Sequence, residues 1–212
     1  MPARDRLRAA RLRGGVIVGR EVVIVEETTS TNDVVAQMAS GDWPEGLCVF
    51  AEHQTAGRGQ RANLWESAAG KGLWFSVLLR PNIDIKESAR LSEWAAKMIA
   101  WTIESYCGIK TTIKLPNDVY IRDRKVAGVL VEMRARTGAP HIAIVGIGVN
   151  VNQTPGDFSE ALRESATSLA IVRHGPLDRH LLARDLLRNL DNGYMALLEQ
   201  RSYAANWRSQ SR

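Results

Sequence analysis

The chain has 212 residues, 45% of them hydrophobic and 24% charged, with a formal net charge of +5. That composition suits one folded domain with a proper core and excludes a disordered chain. It has no run of 18 apolar residues, so no membrane-spanning helix is expected, and MPARDRLRAARLRGG lacks the apolar segment of a secretory signal.

Much of the positive excess lies in a basic arm over residues 1–14, where Arg4, Arg6, Arg8, Arg11 and Arg13 face only Asp5. This arm reads as a solvated helix or a frayed end. A contact with an acidic partner or nucleic acid is the alternative. With no interleaved aromatics and no reading helix, DNA is not an expected partner. The two cysteines, Cys48 and Cys107, have no metal-ligand spacing and read as buried thiols of a reducing compartment, the cytoplasm by default.

Val16 to Val25 is mostly β-branched and predicts a strand or short hairpin. In TTSTNDVVAQMASG, the Ser, Thr and Asn before Val34 mark a helix start, and Gly41 closes it. Leu47 to Glu52 predicts a strand that runs into the glycine loop AEHQTAGRGQRANLWES. GLWFSVLLR, residues 72–80, is apolar on both faces, as a central strand is. Glu87 to Cys107 has helical periodicity and ends at Gly108. Strands are expected over Thr111–Leu115, Asp118–Ile121, Val126–Met133 and Ile142–Val149, with TGAP as a hairpin turn. Pro176 to Glu199 predicts a long helix with Pro176 in its first turn. The fold class is therefore α/β (α+β), a mixed sheet flanked by helices.

The common nucleotide and hydrolase motifs are missing: there is no P-loop, no complete Rossmann fingerprint, no G-x-S-x-G, H-E-x-x-H or C-x-x-C. His53, His141, His174 and His180 form no spaced cluster. Three features remain. In the glycine loop, Gly57 and Gly59 permit close backbone approach and a nest of N–H groups for an anion. Arg58 and Arg61 add donors suited to phosphate, and Trp65 a face for stacking. A plain mobile loop is the rival reading. In KLPNDVYIRDRKVAGVLVE, strand alternation puts Lys125 on the face of Ala127, with Val126 and Gly128 on the other. A Lys in an apolar strand calls for an anionic partner, and Asp118 could hold Mg²⁺; an exposed hairpin lysine and an Asn117-Asp118 turn are the alternatives. In GIGVNVN, Asn150 and Asn152 follow a buried strand and could face a ligand or close a turn.

In this order, TTSTND, AEHQTAGRGQRANLW, KLPNDVYIRDRKVAGVLVE and GIGVNVN closely resemble the motifs of the biotin–protein ligases, from about Glu26 to Val151. The resemblance implies a catalytic domain similar to those of class II aminoacyl-tRNA synthetases and lipoate ligases. It implies an enzyme that activates biotin with ATP and Mg²⁺ to biotinyl-5′-AMP and passes it to a lysine of a biotin carboxyl carrier protein domain; a homodimer is compatible with it. Carried over by motif, Ser30, Thr31 and Asn32 look like the ureido end of the biotin site. Gln54, Gly57, Arg58, Gly59, Gln60, Lys125 and Gly128 complete it. Arg58, Arg61, Trp65, Lys114, Asn117, Asp118 and Asn150 fall on the ATP side, with Asp118 for the metal. Lys125 and Arg58 are the implied catalytic pair.

Many relatives read G-R-G-R-R-G-R-x-W; here Gln60 and Asn63 replace arginines and Ala62 a glycine. Leu115 stands where Trp is commoner. Only 29 residues precede Ser30, too few for the DNA-binding domain of repressor-type relatives, so a monofunctional ligase is expected. The small SH3-like domain that follows in relatives is absent or cut off after Arg212. A lipoate or octanoate ligase or transferase of the same superfamily is the rival enzyme reading, against which the Gly-Arg-Gly loop and Trp65 argue. A non-catalytic module that binds biotin or nucleic acid is the rival outside enzymes.

Overall fold

The structure is a computed structural model that describes residues 6–210. Seven strands, β1 (Val22–Thr28), β2 (Cys48–Gln54), β3 (Leu73–Leu79), β4 (Thr112–Lys114), β5 (Asp118–Ile121), β6 (Arg124–Arg134) and β7 (Ile142–Val149), form one sheet. Its order is β1-β2-β3-β7-β6-β5-β4; β1 and β2 run parallel, and every other neighbouring pair is antiparallel. Four α-helices accompany it: α1 (Thr31–Met38), α2 (Ser88–Cys107), α3 (Leu169–Arg173) and α4 (Arg179–Gln210). The expected mixed sheet with flanking helices is what forms.

The two faces of the sheet follow from alternation along the central strands. In β3, Leu73, Phe75, Val77 and Leu79 join the main core beneath α2 and α4, and so do Ala143, Val145, Ile147 and Val149 of β7. The intervening Leu78, Ile142 and Ile144 join a second, smaller core beneath α1, with Val35 and Val49. The short α1 covers only part of that face. Further along it, β7 supplies Gly146 and Gly148, so part of the sheet stays bare.

Several boundaries differ from the expected ones for local reasons. The strand expected over Val16–Val25 starts only at Val22. Upstream, the N–H groups of Val16, Ile17 and Val18 all donate to the carboxylate of Asp191 on α4, at 2.8, 2.9 and 2.8 Å, so the segment turns instead of extending. The long helix starts at Arg179, beyond Pro176, because the Asp178 carboxylate accepts from His180 N and Leu181 N and caps it there. α3 was not anticipated; the Ser168 hydroxyl caps it by accepting from Ile171 N. α2 ends at Gly108 in the left-handed region, as expected.

Over its described part the basic arm is no frayed end: it holds one short 3-10 helix, Ala9–Arg11, with its arginines exposed and its leucines turned inward. Leu7 and Leu12 are buried in the main core, and Leu7 N donates to Glu52 Oε1 at 2.9 Å. Arg6 pairs with Glu26 and Arg13 with Glu21. Arg4 and Asp5 lie outside the described residues. Glu52 also meets the fully buried Arg179 of α4 at 2.9 Å. Cys48 is a buried free thiol, its pKa pushed up to about 12 by burial, while Cys107 is free and half-buried.

Candidate functional site

The bare part of the sheet is a cleft floored by Gly128 of β6 and Gly146 and Gly148 of β7. A Cβ on Gly146 would overlap the amide of Asn32, and one on Gly148 would overlap the ring of Trp65. At Gly128 it would meet Trp65 at 3.0 Å and Lys125 Cε at 3.1 Å. These glycines exist for close approach, since side chains from elsewhere lie flat on the strands.

One end of the cleft is polar and ordered. Ser30, Thr31 and Asn32, at the start of α1, are all buried. Ser30 is the cap position, although its side chain makes no capping bond. Gln54, at the end of β2, accepts from Thr31 N at 2.8 Å and lies 3.1 Å from Thr31 Oγ1. Ser76 of β3 stands behind them, 2.6 Å from Thr31 Oγ1 and 2.6 Å from Asn32 Oδ1. It is fully buried and was missed in the sequence, where a serine in GLWFSVLLR looks like any core serine. Asn32 Nδ2 is buried and has no hydrogen-bond partner among the described residues.

The other end carries Lys125 and Asp118, paired at 2.8 Å and each part-exposed. Asn117 Nδ2 donates to Asp118 Oδ1 at 2.7 Å. Lys125 does not share a face with Ala127, as strict alternation predicts; it lies over Gly128. The register explains this: Val119 pairs with Ala127, yet Tyr120 pairs with Lys125, so Val126 is the extra residue of a bulge. That bulge re-aims Lys125 into the cleft. Its backbone is fixed from the other side, with Lys125 N donating to Ser165 O at 2.8 Å and Thr167 N to Lys125 O at 2.9 Å. The exposed-hairpin reading of Lys125 therefore fails.

The glycine loop folds over this cleft as a small hairpin. Arg58 and Leu64 form an antiparallel bridge, Gly59 N donates to Asn63 O at 2.7 Å, and Trp65 N to Gly57 O at 2.9 Å. The N–H of Gly59 is thus used within the loop rather than offered to an anion. Arg58 crosses the mouth: its two terminal nitrogens bind both oxygens of Asp33 on α1, at 2.8 and 2.7 Å, and reach Glu132 on β6 at 3.2 Å. The Arg58 hydrogen bond holds the Asp33 carboxyl below its ordinary value, and the same bond raises the guanidinium pKa. Trp65 packs edge-on to Trp74, with centroids 6.0 Å apart, and its ring lies 5.4 Å from Lys125 Nζ. With Trp65 in place the cleft has a free volume of only about 40 Å³.

Trp65 and Lys125 also line a second, adjoining cavity of about 310 Å³, with Leu64, Tyr120, Phe158 and Ala166 among its walls. The two spaces thus meet at Trp65 and Lys125. Ser30, Thr31, Asn32, Gln54, Arg58, Gly59, Gln60, Trp65, Asn117, Asp118, Lys125 and Gly128 all line the first cleft. Gly57, Arg61 and Lys114 line neither space. Gly57 instead lets Trp65 O pass close by, Arg61 sits at the exposed loop tip with φ 56°, and Lys114 lies over the Tyr120 ring at 3.9 Å. Asn150 borders the second cavity, but both ends of its amide are taken: Nδ2 donates to Thr167 O and Oδ1 accepts from Gln153. Asn152 clasps the backbone of Leu177 from both sides. In GIGVNVN it is thus the glycines that reach the cleft. Among the described residues no group of three or more His, Cys, Asp or Glu could hold a metal by itself.

Residues 24–150 match the model of the biotin/lipoate A/B protein ligase family. The chain is 36% identical over 178 residues to the bifunctional ligase/repressor BirA of Bacillus subtilis, an alignment covering 84% of this chain and 55% of that one. It is 33% identical over 204 residues to the biotin–[acetyl-CoA-carboxylase] ligase of Mycobacterium tuberculosis, covering 90% and 73%. It spans little more than half of the first of these relatives. The Aquifex aeolicus biotin protein ligase solved with biotin and ATP superposes with a TM-score of 0.71 at 28% identity, over 84% of this chain and 72% of that one. A Thermoplasma acidophilum structure described as a lipoate protein ligase with lipoic acid shares the fold at 12% identity and a TM-score of 0.60. With the sheet, the glycine-floored cleft and these matches together, the chain belongs to the biotin/lipoate A/B protein ligase family, on its biotin–protein ligase side.

Proposed function

We propose that the chain carries the catalytic domain of an ATP-dependent biotin–protein ligase, which makes biotinyl-5′-AMP and transfers the biotinyl group to a lysine of a biotin carboxyl carrier protein domain. The observation that carries this reading is one cleft with a hydrogen-bonded polar end at the buried Thr31 and Asn32 and the half-buried Gln54, and a cationic end at Lys125, where a second cavity begins. That layout fits a small ligand with a polar head group and a carboxylate, its carboxylate delivered beside a bound nucleotide.

In the first step a biotin carboxylate oxygen attacks the α-phosphorus of ATP, and the bond to the bridging oxygen breaks, releasing pyrophosphate. Negative charge builds on the phosphoryl oxygens, where Lys125 and Arg58 supply fixed cations. Both cations start out paired with carboxylates, so the incoming anions exchange with Asp118, Asp33 and Glu132. In the second step the neutral amine of the acceptor lysine attacks the acyl carbon; the acyl C–O bond breaks, AMP leaves and the nitrogen loses a proton. The hairpin loop keeps water from the anhydride between the steps.

Asp118 fits a Mg²⁺ role, because its Oδ1 serves Lys125 and Asn117 while its other oxygen carries no hydrogen bond among the described residues. A single carboxylate is the usual protein share of a Mg²⁺ bound mainly through substrate phosphates, whose charge the metal offsets. Trp65, at the junction of the two spaces, is placed to pack on the nucleotide. Asn150 serves the nucleotide side by holding Thr167 and Gln153 in position. Gly57, Arg61 and Lys114 act from outside both spaces, Arg61 and Lys114 as surrounding positive charge. Two free thiols suit a reducing, cytoplasmic setting.

Calorimetry with biotin and with lipoate tests the substrate. Binding of biotin at least tenfold tighter than lipoate supports the reading. Tight lipoate binding without biotin binding overturns it in favour of a lipoate ligase.

A further inference from the structure

Ser76 touches neither cavity, yet it sits at the centre of the polar end. Each hydroxyl has one proton to give. Contacts of the O–H···O kind run at about 2.5–3.0 Å and those from N–H at about 2.7–3.2 Å. The two 2.6 Å contacts of Ser76, to Thr31 Oγ1 and Asn32 Oδ1, are therefore hydroxyl hydrogen bonds, and it is the oxygen of the Asn32 amide that meets Ser76. Gln54 Oε1 already accepts the Thr31 backbone N–H at 2.8 Å, and the Thr31 hydroxyl lies further off, at 3.1 Å. The Thr31 proton thus goes to Ser76, and the Ser76 proton to Asn32 Oδ1.

This run of donors leaves Asn32 Nδ2 buried and without a hydrogen-bond partner among the described residues, on a residue that lines the cleft, while Oδ1 is the amide atom nearest Gly146. A buried N–H group with no acceptor costs free energy that a ligand acceptor would recover. We propose that Ser76 is a positioning residue that fixes the Asn32 amide with its donor towards the cleft, so that the pocket selects a head group with a hydrogen-bond acceptor at that point. This rests on the biotin reading above, under which the acceptor is the ureido carbonyl oxygen.

The test is calorimetry of the full chain with biotin and with its guanidino analogue, in which an N–H group replaces the ureido oxygen. The wild type is expected to prefer biotin. In Ser76→Ala, which frees the Asn32 amide to turn, that preference should shrink by about five- to tenfold, the share of one neutral hydrogen bond, while the melting temperature falls by a few degrees because Thr31 and Asn32 lose a buried partner. Asn32→Asp, which puts acceptors in place of the donor, should reverse the preference. Equal weakening of both ligands in Ser76→Ala would make Ser76 merely structural and overturn the inference, as would an unchanged preference in Asn32→Asp. Wild-type binding of neither ligand would instead overturn the biotin reading, and this inference with it.

Discussion

Lys125 and Arg58 stand at the cleft already committed to carboxylates, Lys125 to Asp118 and Arg58 to Asp33 and Glu132. Pairing keeps each cation in place, and under the proposed function an anionic substrate would replace one set of oxygens by another. Removing such a cation leaves the charge of the reacting phosphoryl group uncompensated. Lys125→Ala should therefore lower biotin-dependent pyrophosphate release by about 10²–10³-fold, read in a single-turnover assay; an unchanged rate would refute its role. Lys125 was legible in the sequence because a lysine in an apolar strand needs a reason. Ser76 was not, because a buried serine among apolar neighbours gives no sign of what its hydroxyl meets. Asn150 is a case of the opposite kind: its amide type suggests a ligand contact, and it borders the second cavity, but the sequence gives no sign of its bonds to Thr167 and Gln153.

At the scale of elements, three devices assemble the cleft: the glycines of β6 and β7, the bulge at Val126 and the hairpin of the loop. The strands were legible from their apolar runs and turn residues. The bulge was not, since alternation alone puts Lys125 on the wrong face and only the pairing with β5 reveals the extra residue. The helix start at Arg179 was also misplaced, because Asp178 competes with Pro176 as a start signal and wins through its two backbone hydrogen bonds. The loop is held across the mouth by Arg58 and Asp33, and this contact has a pH signature. The Asp33 carboxyl is held below its ordinary 3.8 by the Arg58 hydrogen bond. Its contribution is complete above 3.8 and is lost only as the pH falls through the lowered folded value, so the latch is intact at neutral pH. An NMR titration of the Asp33 carboxyl should give a midpoint below 3.8 in the wild type and a return towards 3.8 in Arg58→Ala. A midpoint that Arg58→Ala leaves in place would contradict the latch. Both side chains are part-exposed, so its share of folding stability stays below about 1 kcal/mol.

For the whole molecule, the mixed sheet and its flanking helices were readable from the order of strand and helix signals. The joining of distant segments was not. Asp191 on α4 holds residues 16–18, and the buried Arg179–Glu52 pair ties α4 to β2, two residues before Gln54 enters the cleft. Such contacts span more than a hundred residues and leave no local pattern. They set the described part of the basic arm and α4 against the core beneath the sheet, while the cleft opens on the opposite face. The resulting molecule has two adjoining spaces that meet at Trp65 and Lys125, with Arg58 across the mouth of the first. The most direct measurement is the intact mass of a biotin carboxyl carrier domain after incubation with this chain, ATP, Mg²⁺ and biotin. The account predicts a gain of one biotinyl group on the acceptor lysine, dependent on ATP and lost in Lys125→Ala. An acceptor whose mass stays unchanged while the chain is folded and binds biotin, or one that gains lipoyl from lipoate instead, would contradict it.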